Sequence, residues 1–357
     1  MEQKNKPAGL TAGTNPKGEI MEDKCTPIPQ ISGSLNDINQ SVGLFLVRTA
    51  NRCIEDAQSR PIPKTLFGEF FFEGELCILF ADTNLGKSIL AVQIGDSISR
   101  GRAIPGFKME AAAQTVLYFD FELGDKQFEA RYSQDFANHY AFSDQFHRAE
   151  IDPDAVLPDA YKDNFEAFLN FSLEEAIKET GASVLILDNL TYLKNETEKA
   201  KDALPLMKHL KALKSKYGLS ILALAHTPKR DLSKPITRND LQGSKMLINF
   251  CDSSFAIGES HSDKSARYLK QIKARNTEII YDSENVLLCQ ISKISNFLQF
   301  EFLGFAQERD HLKAQSENDR ETLIEKAKEL SAQGRSQREI SAQLGISLGA
   351  VNKYLKS

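Results

Sequence analysis

The sequence contains no tryptophan, and no apolar run reaches the ~20 residues that a membrane helix requires. Residues 1–24, MEQKNKPAGLTAGTNPKGEIMEDK, lack the apolar segment of a secretory signal. The five cysteines are odd in number and have no C-x-x-C spacing, a pattern that indicates reduced packing residues rather than disulfides or a zinc site. We therefore expect a cytoplasmic protein that does not contact a membrane.

Strong basic character is also missing, because the net charge is -5 and the pI is near 5.8. Any contact with nucleic acid must therefore be local. The 357 residues are 41% hydrophobic and 26% charged, which is typical of a soluble protein with one large domain and a smaller one.

Composition divides the chain into four predicted segments. Residues 1–40 lack apolar periodicity and are expected to form a disordered tail. The main domain covers 41–305 and opens with a predicted helix over 44–57. Residues 306–320 are almost wholly polar, which predicts a linker or an exposed helix, and 321–357 are predicted to form a small helical domain.

Continuous apolar runs separated by polar or helical segments predict an α/β fold with a mainly parallel sheet covered by helices on both faces. The later runs lie close together and are expected to add antiparallel strands at one edge. The predicted strands cover 78–80, 115–121, 183–188, 220–226, 253–258, 267–274 and 297–302.

The stretch ILFADTNLGKSIL, residues 78–90, has the strand–turn–helix layout of a phosphate-binding P-loop. Gly86 allows the backbone to approach phosphate, Lys87 reaches the outer phosphates of ATP, and the Ser88 hydroxyl binds Mg²⁺. The motif has Ala81 where glycine is usual, a small residue that fits if its φ is negative. The predicted nucleotide-binding residues are Ala81, Asp82, Thr83, Asn84, Leu85, Gly86, Lys87 and Ser88.

Acidic and imidazole side chains stand at the ends of three later strands. Asp120 and Glu122 are two residues apart and are expected to point to the same face. Asp188 ends the next strand, at the position from which a carboxylate holds Mg²⁺. His226 ends the third strand; a hydrogen-bonded histidine at a strand end is the structural alternative to a functional role.

With these motifs the chain resembles the RecA-like ATPases over residues 60–305, and within them the hexameric helicases of the DnaB and plasmid RepA kind. The resemblance implies that Glu122, in the DFE of 120–122, polarises the attacking water. It also implies that His226 senses the γ-phosphate.

The stretch IKARN, residues 272–276, looks like the K-x-R-N segment that DnaB-type helicases insert into the ATP site of a neighbouring subunit. Lys273 and Arg275 would form this finger, and a guanidinium delivered from outside would stabilise the charge of phosphoryl transfer. The two residues alternate along a predicted strand and so project from one face. A solvated basic edge strand is the alternative; the finger requires a homo-oligomer, by resemblance a hexamer.

The C-terminal stretch SQREISAQLGISLGAVNKYLKS has the spacing of a helix-turn-helix, similar to those of resolvases and bacterial regulators. Ser336 and Ser347 stand at predicted N-caps and Gly345 allows the turn. Asn352 and Lys353 would then face the major groove of duplex DNA. A protein-interaction module is the alternative.

A basic loop follows the strand that ends in His226. It is predicted to contact single-stranded DNA in the channel of a ring, through Lys229, Arg230, Lys234 and Arg238. The loop lacks stacking aromatics, so a plain solvated loop is the alternative.

These patterns together predict a Mg²⁺-dependent ATPase acting on DNA, as a ring-forming helicase or replication ATPase of a mobile element. The alternative is a DNA-binding regulator or recombination accessory factor that uses ATP as a switch and does not unwind DNA.

Overall fold

The computed structural model describes residues 40–162, 164–190, 192, 203–228, 230–241, 244–313 and 317–356. The chain divides into two compact units, Met1–Ile62 and Pro63–Ser357. Within the described ranges, no helix has the length and apolar character needed to cross a membrane. The predicted tail of residues 1–40 lies, apart from Gln40, outside the described residues.

The strands of the described residues are β1 Gln40–Val42, β2 Phe45–Val47, β3 Thr65–Phe67, β4 Phe71–Phe72, β5 Leu76–Ala81, β6 Val116–Asp120, β7 Ser133–Gln134, β8 Asn138–His139, β9 Phe146–Ala149, β10 Val184–Asp188, β11 Ser220–His226, β12 Ser253–Glu259, β13 Ala266–Lys273, β14 Val286–Ile294 and β15 Phe297–Ala306. The helices are α1 Ala50–Gln58, α2 Lys87–Arg100, α3 Asp125–Arg131, α4 Phe165–Thr180, α5 Ala203–Tyr217, α6 Ser244–Phe250, α7 Glu317–Ala332, α8 Gln337–Leu344 and α9 Leu348–Lys356. Short 3₁₀ helices cover Asp159–Tyr161, Arg238–Asp240 and Glu308–His311.

The first unit contains an antiparallel β1–β2 hairpin followed by α1. The predicted helix over 44–57 is therefore wrong at its start, because Phe45–Val47 is a strand. Phe, Leu and Val fit a strand well, and Thr49 starts the helix by accepting a hydrogen bond from the Arg52 N–H.

The second unit contains a nine-stranded sheet with the order β15-β14-β13-β12-β5-β11-β10-β6-β9. The six strands from β12 to β9 are parallel, and β13, β14 and β15 pair antiparallel. This topology confirms the predicted α/β fold with a mainly parallel sheet and an antiparallel edge.

Helices cover both faces of the sheet. Side chains alternate along β5, so that Cys77 and Leu79 join one core while Ile78 and Phe80 join the other. Helix α2 packs on the first face, whereas α4, α5 and α6 pack on the second. Cys251 and Cys289 are also buried packing residues, Cys53 is exposed, and Cys25 lies outside the described residues.

The polar stretch after Ala306 departs from the predicted linker. Glu308 and His311 are buried, and the Glu308 carboxylate accepts a hydrogen bond from Lys270 Nζ at 2.5 Å. A charged side chain is buried when it is paired, so polarity alone misidentified this segment as exposed.

Three helices, α7 to α9, pack around Ala327, Ile340, Val351 and Tyr354. Ser336 caps α8, as predicted, and Gly345 ends it with φ 66°, a conformation that favours glycine. Helix α7 begins at Glu317, four residues before the predicted domain start.

Candidate nucleotide site

The carboxyl ends of β5, β6, β10 and β11 meet at one edge of the sheet, where parallel α/β folds bind ligands. A cavity of about 280 Å³ opens there. Its lining residues are Thr83, Asn84, Gly86, Lys87, Ser88, Ile89, Glu122, Arg131 and His226.

The loop between β5 and α2 has P-loop geometry. Gly86 has φ 92°, and a Cβ at this position would lie 2.7 Å from Ile291 Cδ1, so glycine is needed for conformation and for space. Ala81 is the buried last residue of β5 and has no positive φ, so its methyl group is accommodated.

Lys87 lies at the base of the cavity. Its ammonium Nζ donates to the carbonyl oxygens of Ala81 and Asp82, both at 3.0 Å, and lies 3.2 Å from His226 Nδ1. Burial lowers the pKa of Lys87, and the nearby charges of Asp188 and Glu122 oppose this effect. An ammonium group held by carbonyl groups keeps a positive charge facing the cavity, as phosphate binding requires.

His226 connects Lys87 with Glu122. An ammonium group has no lone pair, so Lys87 Nζ can only donate to His226 Nδ1. Nε2 lies 3.6 Å from Glu122 Oε1, and this contact is the main cause of the lowered pKa of Glu122. Glu122 is therefore ionised and directed towards the lysine that would hold phosphate.

Asn189, which our sequence reasoning missed, contacts both Glu122 and His226. Its amide donates to Glu122 and lies 3.0 Å from His226 Nε2. Asn189 directly follows the strand that ends in Asp188, and a polar residue at that position was the available signal.

Asp188 is buried beside the P-loop. The Tyr118 hydroxyl donates to it at 2.8 Å, the Ser88 hydroxyl also contacts it, and burial raises its pKa to about 6. A carboxylate beside a hydroxyl is a donor set that fits Mg²⁺, which keeps several waters and takes few protein ligands. Among the residues that the structure describes, no cluster of three or more His, Cys, Asp or Glu offers a fuller metal site.

Arg131 is a second residue that the sequence analysis missed. It is the last residue of α3 and lines the cavity, and its buried Nη1 has no hydrogen-bond partner in the described part of the chain. A buried guanidinium nitrogen without a partner fits a bound anion. The short α3 brings Arg131 back to the cavity from the turn that carries Glu122.

The sequence profile of the AAA domain family matches residues 47–231, more than half of the chain. The chain belongs to this family. It is a P-loop ATPase with a mainly parallel α/β sheet, and such ATPases bind ATP with Mg²⁺. Among solved structures it is similar to a KaiC-like protein from Pyrococcus horikoshii OT3, with 12% identity, a TM-score of 0.45, and coverage of 65% of this chain and 91% of that one. No curated protein sequence is significantly similar to the chain.

In this AAA-domain ATPase, Asp120 and Glu122 do not share a face as predicted. Asp120 is buried and accepts from the backbone N–H groups of Glu122 and Leu123, whereas Glu122 lines the cavity. The chain leaves the strand conformation after Asp120, so the alternation of side chains ends there.

Lys273 and Arg275 lie far from the nucleotide site of their own chain. Lys273 pairs with Ser254 at the start of β12, and β12 runs parallel to β5. These residues therefore lie at the amino ends of the parallel strands, whereas the cavity lies at their carboxyl ends. Lys273 donates to the Ile248 and Cys251 carbonyls, and Arg275 pairs with Asp252 at 2.9 Å. Arg275 also lies beyond the end of β13, contrary to the predicted alternation.

The predicted DNA contacts fall in two places. In the basic loop, Lys234 pairs with Asp231, Arg230 donates to the Lys234 carbonyl, and Arg238 is exposed; Lys229 lies outside the described residues. On α9, Asn352 and Lys353 are exposed.

Proposed function

We propose that the ATPase hydrolyses Mg²⁺-bound ATP with Glu122 as the water-polarising base, and that it acts on DNA as a ring-forming helicase or replication ATPase. The observation that carries the chemistry is the contact series from Lys87 through His226 to Glu122. It joins a phosphate-binding cation to an ionised carboxylate in one cavity.

In this reaction a water oxygen attacks the γ-phosphorus, the bond to the β–γ bridging oxygen breaks, and ADP leaves with the electron pair. Glu122 takes the proton of the water, since its lowered pKa keeps it ionised. Lys87 and Arg131 hold the phosphate charge, while Ser88 and Asp188 would hold Mg²⁺. When bound, Mg²⁺ supplies charge neutralisation on the phosphate oxygens.

His226 is the proposed γ-phosphate sensor. It contacts both Lys87 and Glu122, so a change in phosphate occupancy moves a side chain at the end of β11. The basic loop follows directly from β11, which gives the sensor a covalent connection to a DNA-contacting segment.

The proposed trans finger follows from the position of Arg275. This half-exposed guanidinium lies at the amino ends of the parallel strands, opposite the end that carries the cavity. It is therefore available to the ATP of a neighbouring copy rather than to the ATP of its own chain. We therefore propose a homo-oligomeric ring, a hexamer by resemblance.

DNA binding is proposed for two surfaces. The exposed face of α9, with Gly349, Asn352, Lys353 and Lys356, suits the major groove of duplex DNA as the second helix of a helix-turn-helix. The basic loop, with Arg230, Lys234 and Arg238, suits the phosphate backbone of a single strand.

A second candidate is a duplex-binding ATP switch that does not unwind DNA. The three-helix packing of α7 to α9 favours it, because such a unit binds duplex DNA without a ring.

Unwinding of a forked duplex distinguishes the two functions. With ATP, the helicase releases a labelled strand, and Glu122→Gln does not. ATP-dependent binding to the duplex without strand release would favour the switch. The absence of both strand release and DNA binding would exclude a role on DNA.

A further inference from the structure

Arg148 lies beside the turn that carries Glu122. It belongs to β9, the edge strand next to β6, and pairs in register with Tyr118, two residues before Asp120. Its side chain is 16% exposed, and its guanidinium stacks 4.9 Å from the ring centroid of Phe128 in α3. The guanidinium is therefore held between the end of β6 and the start of α3.

Arg148 contacts both sides of residues 120–125, which we call the catalytic turn. Nε donates to Asp120 Oδ2 at 3.0 Å, and Nη2 donates to the Leu123 carbonyl at 2.5 Å. Nη1 reaches Asp125 at 2.7 Å, but Asp125 is 80% exposed and such a pair contributes little. The contacts with Asp120 and Leu123 are the ones that fix the turn.

Asp120 extends this hold to Glu122. Its side chain is completely buried, and Oδ1 accepts from the N–H groups of Glu122 at 3.2 Å and Leu123 at 3.0 Å. One carboxylate thus joins Arg148 to the backbone of the proposed base. Asp120 is buried and is not among the residues that line the cavity, so it is not placed to polarise water.

We propose that Arg148 is a positioning residue for ATP hydrolysis: through Asp120 and the Leu123 carbonyl it holds the catalytic turn so that the Glu122 carboxylate faces the cavity. The inference rests on the proposed role of Glu122. A displacement of a reacting group by ~1 Å costs about 100-fold in rate, so a loosened turn lowers turnover. Lys87, Ser88 and the P-loop backbone lie outside this turn, so nucleotide affinity should change less than turnover.

Lysine cannot replace the guanidinium here. The two fixing contacts use different nitrogens of a planar group, and an ammonium offers a single nitrogen on a flexible stem. Arg148→Lys therefore keeps the charge that neutralises buried Asp120 while it loses the simultaneous hold on Asp120 and Leu123.

Arg100 provides a matched control. It pairs with Asp96 at 2.9 Å, is 29% exposed, and lies 5.4 Å from the ring centroid of Tyr140, but it is at the far end of α2 from the P-loop. Arg100→Lys thus perturbs a comparable ion pair away from the catalytic turn.

The test compares Arg148→Lys, Arg100→Lys and Glu122→Gln in the full chain, measuring Tm, the Kd of a fluorescent ATP analogue with Mg²⁺, and kcat. We expect Arg148→Lys to lower kcat by about 10- to 100-fold with less than a threefold change in Kd. Arg100→Lys should leave kcat unchanged at a similar loss of Tm.

An unchanged kcat in Arg148→Lys, a parallel loss of kcat and binding, or an equal kcat loss in Arg100→Lys would overturn the proposal. Should Arg148→Lys fail to fold, Asp120→Asn serves instead, because its amide oxygen still accepts from the turn while the charged contact with Arg148 is lost; a selective fall in kcat is expected and an unchanged kcat contradicts the proposal. Full turnover in Glu122→Gln would refute the role of Glu122 itself and is a separate outcome.

Discussion

Two side chains of the cavity divide binding and turnover between them. Lys87 is held by the carbonyls of its own P-loop and directs its charge at ground-state phosphate. Glu122 lines the same cavity and is connected to Lys87 through His226. Interactions made in the ground state affect affinity, whereas those realised during reaction affect rate.

Lys87→Ala should therefore abolish nucleotide binding, while Glu122→Gln should keep binding and lose turnover by at least ~100-fold. Titration of a fluorescent ATP analogue and steady-state phosphate release measure the two effects. Normal phosphate release by Glu122→Gln would assign the base to another group.

The ionised Asp188 carboxylate would hold Mg²⁺, but its burial lowers the stability of the folded protein. Burial raises its pKa to about 6, above the ~3.9 of an unfolded chain. The folded protein then binds the proton more tightly than the unfolded one, so ionised Asp188 lowers stability. This cost is small below pH 4, grows from pH 4 to 6, and is complete above pH 6.

Asp188→Asn should remove this cost in the absence of Mg²⁺ and nucleotide. The difference in free energy of unfolding between the variant and wild type should increase by about 1 to 2 kcal/mol from pH 5 to pH 7.5, in favour of the variant. ATP hydrolysis by the variant should be lost. Urea unfolding in EDTA at the two pH values measures the gain. A difference between variant and wild type that does not change with pH would contradict the buried, proton-binding Asp188.

Much of the cavity could be predicted because its residues belong to local motifs. Lys87 and Ser88 follow the P-loop turn, and Asp188 and His226 end apolar strands, so each has a signal in a few neighbouring residues. Arg131 has none, since its place depends on the direction of α3, and the signal for Asn189 is limited to its polar side chain directly after β10.

The strands show the same division. In the nine-stranded sheet of the described residues, five of the six parallel strands are continuous apolar runs and were predicted, whereas the parallel strand β9 and the antiparallel strand β14 were missed. β9, FHRA, is short and contains two polar residues, and β14 carries Gln290, Ser292 and Lys293 in its partly exposed second half. Both matter for the site, because β9 carries Arg148 and β14 supplies Ile291 beside Gly86.

Helices α7 to α9 have their own apolar core, so they should be separable from the ATPase. Truncation after Lys313, before α7, should leave basal ATP hydrolysis intact, since the proposed catalytic groups lie upstream. Affinity for duplex DNA should fall, as measured by fluorescence anisotropy at two salt concentrations. Unchanged duplex affinity would make this unit a protein-interaction module and leave the basic loop as the DNA contact.

Single substitutions on α9 refine that test. Lys353→Ala, if Lys353 contacts phosphate, should weaken binding to all DNA sequences by a similar factor and reduce the salt dependence of the affinity. Asn352→Ala, if Asn352 reads a base, should reduce discrimination by about 1 to 3 kcal/mol at one position.

For the whole molecule, the decisive geometry is the separation between the cavity and Arg275. They lie at opposite ends of the parallel strands of one sheet, so an arginine finger at this position needs a second copy of the chain. Lys273 is already engaged by the carbonyls of Ile248 and Cys251, whereas Arg275 is half-exposed and pairs with Asp252, so Arg275 is the member of the pair that another copy can reach.

Arg275→Ala should bind ATP and lose hydrolysis, whereas mixing it with Lys87→Ala should restore part of the turnover. Each hybrid interface with an intact Lys87 cavity and an intact Arg275 from the other copy is competent. Phosphate release after demonstrated subunit exchange measures the rescue. Mixtures that exchange subunits yet stay inactive would exclude the trans finger.

The most direct test of the account is steady-state ATP hydrolysis by the full chain with Mg²⁺, measured with increasing single-stranded DNA and with Lys87→Ala as the blank. We predict turnover that requires Mg²⁺ and rises as DNA is added. Turnover that DNA leaves unchanged would contradict the proposed action on DNA, and turnover no higher than that of Lys87→Ala would contradict the catalytic site itself.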